Sequence, residues 1–173
     1  MTVTLRDAVA TDAAAIAPFH VRQWRAAYRD LAPPLAHQVL DEAHRLRGWA
    51  ATLALPPPAA VLLAHRRDRL AGFVAFGPPT SPVFAGRGQI SLLYVDAAYQ
   101  GQGVGARLLH AAQARLLAAG FTGTALAVVA GNTPARAFYA AMGGTEVARI
   151  TDPGPIWPSD NVLVTWDTAQ QRL

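Results

Sequence analysis

The sequence predicts an α/β fold of the α+β kind, a mixed sheet with helices on its faces. Three observations carry this expectation: apolar runs of strand length alternate with helix-period segments in the middle of the chain, hairpin patterns stand towards both ends, and a glycine turn joins one strand directly to one helix. No repeat or linker composition interrupts the 173 residues, so one domain over 1–173 is expected, long enough to bury a core without staples.

Val3 to Arg6 alternates like a short strand. Thr11 and Asp12 read as a helix cap with an acidic first turn, after which Ile16, His20, Gln23 or Trp24, and Ala27 recur three or four apart as a buried stripe. Pro18 lies inside that helix and should bend it. A second helix is expected from near Pro33-Pro34, with Leu35, Val39, Ala43, Leu46, Ala50 and Leu53 buried and Pro56-Pro57-Pro58 as its end. Val61 to His65 and Leu70 to Phe76 make an antiparallel hairpin around the four-residue loop Arg66 to Arg69.

Gly77 to Gly88 reads as a surface loop, and Gln89 to Val95 as the strand that feeds the glycine turn. The helix from Val104 to about Ala119 buries Val104, Leu108, Ala112 and Leu116, and Gly120 closes it. Thr124 to Ala130 is a further strand, Gly131-Asn132-Thr133-Pro134 a turn and cap, and a short helix runs on to about Met142. Thr145 to Ile150 and Val162 to Trp166 are the last strands, joined by the proline-rich loop Thr151 to Asn161.

Composition removes several function classes. The chain has no cysteine, which excludes disulfides, thiolate metal sites and a cysteine nucleophile and is compatible with a cytoplasmic location. It has no lysine either, which excludes a P-loop. The net charge of +4 is spread along the chain, and the one tight cluster, Arg66-Arg67 and Arg69, reads as a solvated turn, so no nucleic-acid partner is expected. The N-terminus lacks the pattern of a secretory signal, and the uncharged stretch Gly48 to Ala64 is broken by prolines and falls short of the roughly 20 apolar residues of a membrane span. No membrane partner is expected, and no metal site is assigned.

The most informative stretch is Gln100-Gly101-Gln102-Gly103-Val104-Gly105-Ala106. Its helix opens with N–H groups that have no intrahelical acceptor, and the helix dipole favours a phosphate there by up to about 1 kcal/mol when exposed. Glycines let a ligand touch the backbone. Gly101-x-Gly103-x-x-Ala106 formally satisfies the dinucleotide fingerprint, but no Asp or Glu occurs between Asp96 and Glu146 to hold a ribose. The alternative spacing Q-x-x-G-x-G fits as Gln100-x-x-Gly103-x-Gly105.

With that spacing go Trp24-Arg25-Ala26-Ala27-Tyr28, Leu92-Leu93-Tyr94-Val95 and Asn132-x-x-Ala135-x-x-Phe138-Tyr139, and the chain resembles the GCN5-related N-acetyltransferase (GNAT) family over nearly its whole length. The resemblance implies a sheet of about six to seven strands whose two parallel members splay around acetyl-coenzyme A. It further implies a pyrophosphate on the amides of Gln102, Gly103, Val104, Gly105 and Ala106, next to Gln100 and Gly101. The pantetheine arm would pair with the backbone of Leu93 and Val95 around Tyr94, and Asn132, Ala135 and Phe138 would complete the cofactor site.

Acyl transfer to an amine needs that amine neutral, and deprotonating an alkyl ammonium at pH 7 costs about 4 to 5 kcal/mol. It also needs an acid for the departing thiolate. Tyr139 is the candidate, since a phenol remains protonated at neutral pH and the tyrosine of this motif has that role in similar enzymes; packing as an ordinary helix tyrosine is the competing use. Asn132 can cap its helix and bond the pantetheine at once.

Many relatives carry a glutamate where this chain has Gln89, which cannot take a proton, and neither Glu42 nor Glu146 falls on a motif. No base is assigned; a water chain ending at a backbone carbonyl, His20, Asp30 or His110 would serve. Gly144 stands where relatives commonly have an aromatic residue, so the packing there is left unspecified. Trp24, Tyr28 and Trp157 are the candidates for the acceptor pocket, with a core role open for Trp24.

The expected activity is acetylation of a primary amine of a small molecule, because the loop Thr151 to Asn161 would narrow the acceptor groove. Acetylation of a peptide N-terminus or lysine is one alternative, and a non-catalytic acyl-coenzyme A module is another, kept open by Gln89. A homodimer is admitted.

Overall fold

The computed structural model describes residues 3–167. Seven strands, β1 (Thr4–Asp7), β2 (Ala60–Arg66), β3 (Arg69–Gly77), β4 (Gly88–Val95), β5 (Gly123–Val129), β6 (Thr145–Asp152) and β7 (Ser159–Asp167), form one sheet among the described residues. Their spatial order is β1-β2-β3-β4-β5-β7-β6, and every neighbouring pair is antiparallel except β4 with β5. The helices are α1 (Ala13–Ala27), α2 (Pro34–Val39), α3 (Glu42–Leu53), α4 (Val104–Ala118) and α5 (Thr133–Ala141). None of the described helices is long and apolar enough to cross a membrane.

Strand alternation divides the core into two layers. On one face Val104, Leu108, Ala112 and Leu116 of α4 pack with Leu62, Val74, Ile90 and Leu126, as the helix periodicity predicts, and Tyr139 of α5 joins them. On the other face Ile16 and Phe19 of α1 and Trp49 of α3 cover Val61, Leu63 and Phe73. A fully buried leucine or phenylalanine contributes about 1.5–3 kcal/mol through removal from water. Such pairs on both faces hold the sheet rigid under the site.

Two expectations are corrected. The hairpin loop is shorter than four residues, because β2 and β3 pair as far as Arg66 and Arg69 and leave only Arg67-Asp68 in the turn. The second helix is broken in two. Asp41 accepts a hydrogen bond from the His44 N–H at 2.8 Å and starts α3 afresh, while Leu40 leaves the helical region at ψ 58°. The break shifts the phase of the buried face: Ala36, Leu40 and Trp49 are inside, and the predicted Leu35, Val39 and Leu46 are exposed. α1 runs through Pro18 to Ala27 without ending there.

The space beside Gly144 belongs to Trp166. A Cβ on Gly144 would stand 2.7 Å from both the Trp166 ring and Val164, and the indole Nε1 donates to the Met142 carbonyl at 2.9 Å. An aromatic residue from β7 thus fills the place that a neighbour in sequence would otherwise occupy, and it supports the Tyr139 ring edge-on at 6.0 Å. Gly144→Val should therefore cost about 1–3 kcal/mol through overpacking. A thermal midpoint equal to that of the parent chain would contradict this packing.

His20 is buried at 2 % exposure against Phe73, Tyr94 and Trp49. Its Nδ1 accepts from Trp49 Nε1 at 3.2 Å, and Nε2 is sealed without a partner. Burial first, and the Arg45 charge second, push its pKa from 6.5 down to about 3. A base depressed in this way leaves the folded state fully favoured above pH 6.5, and stability is lost as the pH falls from 6.5 towards 3, where the unfolded chain binds the extra proton. Thermal midpoints measured from pH 7 to 4 should show this decline, and His20→Phe should flatten it; an equally steep decline in the variant would contradict the assignment.

Candidate active site

β4 is paired with β3 from Gln89 to Val95, but it meets β5 only at Gly88–Thr124 and Gln89–Ala125. β5 meanwhile pairs with β7 from Gly123 to Val129. The two parallel strands therefore part beyond Gln89 and open a wedge. Arg87 ties down its closed end, donating from Nε and Nη2 to the two Asp167 carboxylate oxygens at 2.6 and 3.1 Å. On the other edge of β4, the Asp96 N–H bonds the Ala71 carbonyl at 2.9 Å. Alternation along the strand then turns the backbone polar groups of Leu93 and Val95 into the wedge, and the Val95 carbonyl accepts there from Gln100 Nε2 at 3.1 Å.

The glycine turn follows β4. Gly101 and Gly103 have φ of +70° and +78°, conformations that glycine adopts without strain, and the space a Cβ would take at either is open. The first bond of α4 runs from the Arg107 N–H to the Gly103 carbonyl at 3.1 Å, so the amides of Val104, Gly105 and Ala106 have no intrahelical acceptor. Positive charge stands close by. Arg66, expected on a solvated turn, instead donates to Gln102 Oε1 at 2.8 Å and lies over the Tyr99 ring at 5.5 Å. A groove of about 270 Å³ beside the turn is bordered by Arg22, Arg69, Asp96 and Tyr99.

α5 forms the other wall. Asn132 caps it, with Oδ1 accepting from the Ala135 N–H at 3.3 Å, and its side chain lies near the Tyr28 hydroxyl. Phe138 lies against Gly105, its ring 3.2 Å from where a Cβ would stand, which joins α5 to the start of α4, and Ala135 packs into the same layer. Tyr139 is buried between Phe138 and Trp166. Burial, and then the nearby Tyr28, raise its hydroxyl above the ordinary 10.0, and among the described residues no hydrogen bond engages it.

Across the wedge lies an aromatic wall. Trp24 is buried and stacked on Tyr28 at 5.2 Å, and Tyr28 meets the Trp157 ring at 6.4 Å. The Tyr94 and Tyr28 hydroxyls lie near each other, and burial raises the pKa of both phenols. The Tyr94 side chain thus joins the wall with Trp24, Ile156 and Trp157, whereas Leu93 and Val95 on either side of it point to the α4 layer.

The residues considered as proton routes are dispersed. Gln89 Oε1 accepts from the Thr80 N–H and hydroxyl at 2.8 and 2.9 Å and anchors the preceding loop. His20 is sealed in the core, and Asp30 and His110 are exposed. Among the described residues no three His, Asp or Glu side chains gather to hold a metal ion. Sequence reasoning missed Arg45 and Arg66, since an arginine on a helix or in a hairpin carries no mark of what it will face once folded. The unpaired β4 edge, the free α4 amides and the open glycine cradle fit a ligand that combines phosphate oxygens with an amide-bearing arm.

Residues 21–143 match the acetyltransferase (GNAT) family. Over 177 aligned residues the chain is 27% identical to the uncharacterised N-acetyltransferase YuaI of Bacillus subtilis (strain 168), covering 94% of this chain and 97% of YuaI. Its fold is similar to that of the PaiA N-acetyltransferase of Thermoplasma acidophilum, solved in complex with coenzyme A, with a TM-score of 0.72, 16% identity, and 96% and 99% of the two chains covered. It is also similar to YncA of Salmonella typhimurium, solved with its cofactor acetyl-coenzyme A, with a TM-score of 0.69, 22% identity, and 96% and 94% covered. With the family matched over most of its length and the wedge, turn and α5 motif in place, the chain belongs to the GNAT family of acetyltransferases, whose acyl donor is acetyl-coenzyme A.

Proposed function

We propose that this N-acetyltransferase transfers the acetyl group to the primary amine of a small molecule, and that it does so by direct attack within the β4–β5 wedge. The observation that carries the reading is the wedge itself, which leaves the Leu93 and Val95 backbone edge without a strand partner, the Val95 carbonyl meeting only the Gln100 side chain, beside the free amides of Val104 to Ala106. In this reading the diphosphate lies on the turn from Gln100 to Ala106, and the arm pairs with the edge around Leu93, Tyr94 and Val95. Asn132, Ala135 and Phe138 shape the opposite wall. Acetyl-coenzyme A supplies, when bound, a thioester carbonyl for attack and a thiolate that must be protonated as it leaves.

Tyr139 is the acid. Its buried hydroxyl is protonated throughout the neutral range, has no competing partner among the described residues, and projects from the helix that borders the wedge. Trp24, Tyr28 and Trp157 hold the acceptor on the far side. A small acceptor is supported by the loop between β6 and β7, whose Trp157 meets the Tyr28 ring and whose Ile156 packs into the same cluster, which narrows the approach. We assign no carboxylate or imidazole as the base, and the amine is expected to lose its proton to water that connects with bulk. We place the activity in one domain over the whole chain.

Thiol release from acetyl-coenzyme A, followed across small primary amines and short peptides, tests the reading. Small amines should accelerate release more than peptides do, and a preference for peptides would contradict the proposed acceptor. Tyr139→Phe should lower kcat by roughly 10²-fold or more, the scale of a lost general acid, while coenzyme A affinity changes little. An unchanged kcat would remove Tyr139 as the acid.

A further inference from the structure

Arg45 of α3 is an unneutralised cation at the acceptor side. Among the described residues its side chain has neither an ion pair nor a hydrogen bond; its Nε is sealed from solvent without a partner, and its guanidinium lies 5.7 Å from the Trp24 ring centre. The two Nη groups are not sealed. Leaving a desolvated charge unpaired is costly, and the stacking on Trp24 offsets only part of that cost.

Its electrostatic neighbours are Tyr28 and Tyr94. Burial keeps both phenols protonated, so neither supplies the missing negative charge. His20, the other titratable group it faces, is neutral. The side chains named against Arg45, Trp24, Tyr28, Tyr94 and His20, are therefore all aromatic and uncharged at neutral pH.

The position of Arg45 matters as much as its charge. From Arg45 the wall runs through Trp24 to Tyr28, and the Tyr28 hydroxyl lies near the Asn132 side chain and within electrostatic reach of Tyr139. One aromatic layer thus separates the unpaired cation from the proposed acid. A planar guanidinium with its Nη edge open matches a carboxylate in two-pronged fashion.

We propose that Arg45 holds the carboxylate of the acceptor, and that the acceptor is a small amine that also carries a carboxylate, an amino acid or close analogue, with its apolar body on Trp24 and Tyr28. This deepens the small-amine reading above and rests on it. The turn at α4 has its own arginine in Arg66, and Arg45 belongs to the opposite helical layer with α1.

The test uses the whole chain with acetyl-coenzyme A and matched sets of acceptors: amino acids, their methyl esters, and the amines that lack the carboxyl group. The parent protein should favour the carboxylates in kcat/KM by roughly 100-fold, as expected where a site's charged group would otherwise be left unpaired. In Arg45→Met that ratio should collapse towards one through a rise in KM for the carboxylates, and Arg45→Lys should restore part of it. Equal turnover of acids and esters by the parent protein would overturn the Arg45 assignment and leave the small-amine reading standing. Binding of acetyl-coenzyme A with no turnover of any small amine would overturn both.

Discussion

Beyond Gln89 and Ala125 the two parallel strands at the centre of the sheet make no further hydrogen bonds to each other, and the rest of the molecule is arranged around that separation. A sheet interior normally satisfies both edges of every strand, because an unpaired buried N–H or C=O forfeits about as much as a lost hydrogen bond. Here β4 keeps its β3 partner and β5 keeps its β7 partner, so the strands stay ordered while one edge of each is released. The Arg87–Asp167 pair closes the wedge at one end. At the other end the chain turns through glycines into α4, whose first amides are equally unclaimed. Two sets of unsatisfied donors therefore face the same space, and a ligand with phosphates and a peptide-like arm satisfies both.

Tyr28 links this space to the acceptor side. Its hydroxyl lies beside the polar ends of Asn132 and Tyr94, and its ring lies between Trp24 and Trp157. Helices α1 and α5, and strand β4, are thereby fixed relative to one another by one side chain. The wall that results is largely aromatic, and Arg45, which lies over Trp24, has no ion pair among the described residues. A charge partly withdrawn from water without a counter-ion costs stability, and the proposed substrate carboxylate would offset that cost.

How much of this was legible in the sequence depended on whether a feature is local. The α4 stripe, the glycine turn and the Asn132 cap are set by residues three or four apart, and each forms where the spacing placed it. Local reading failed at Asp41, because an aspartate inside a helical pattern looks the same whether it sits on a solvated face or caps a new helix, and the stripe through Leu35, Val39 and Leu46 was carried across the break. It also had no access to Trp166 filling the space beside Gly144, or to Arg66 reaching Gln102, since both contacts join separate strands and turns. Arg45 is the extreme case. Its importance lies in the absence of a partner, and only the folded arrangement defines which groups could have been one.

The claim on which the function depends is that the parted β4 edge and the first amides of α4 together receive the acyl donor. Amide hydrogen exchange of the whole chain, compared with and without coenzyme A, tests it most directly. Exchange should slow at Leu93 and Val95 and at Val104 to Ala106, with both groups protected over the same range of ligand concentration. Saturable coenzyme A binding that leaves these amides exchanging at their free rates would contradict it.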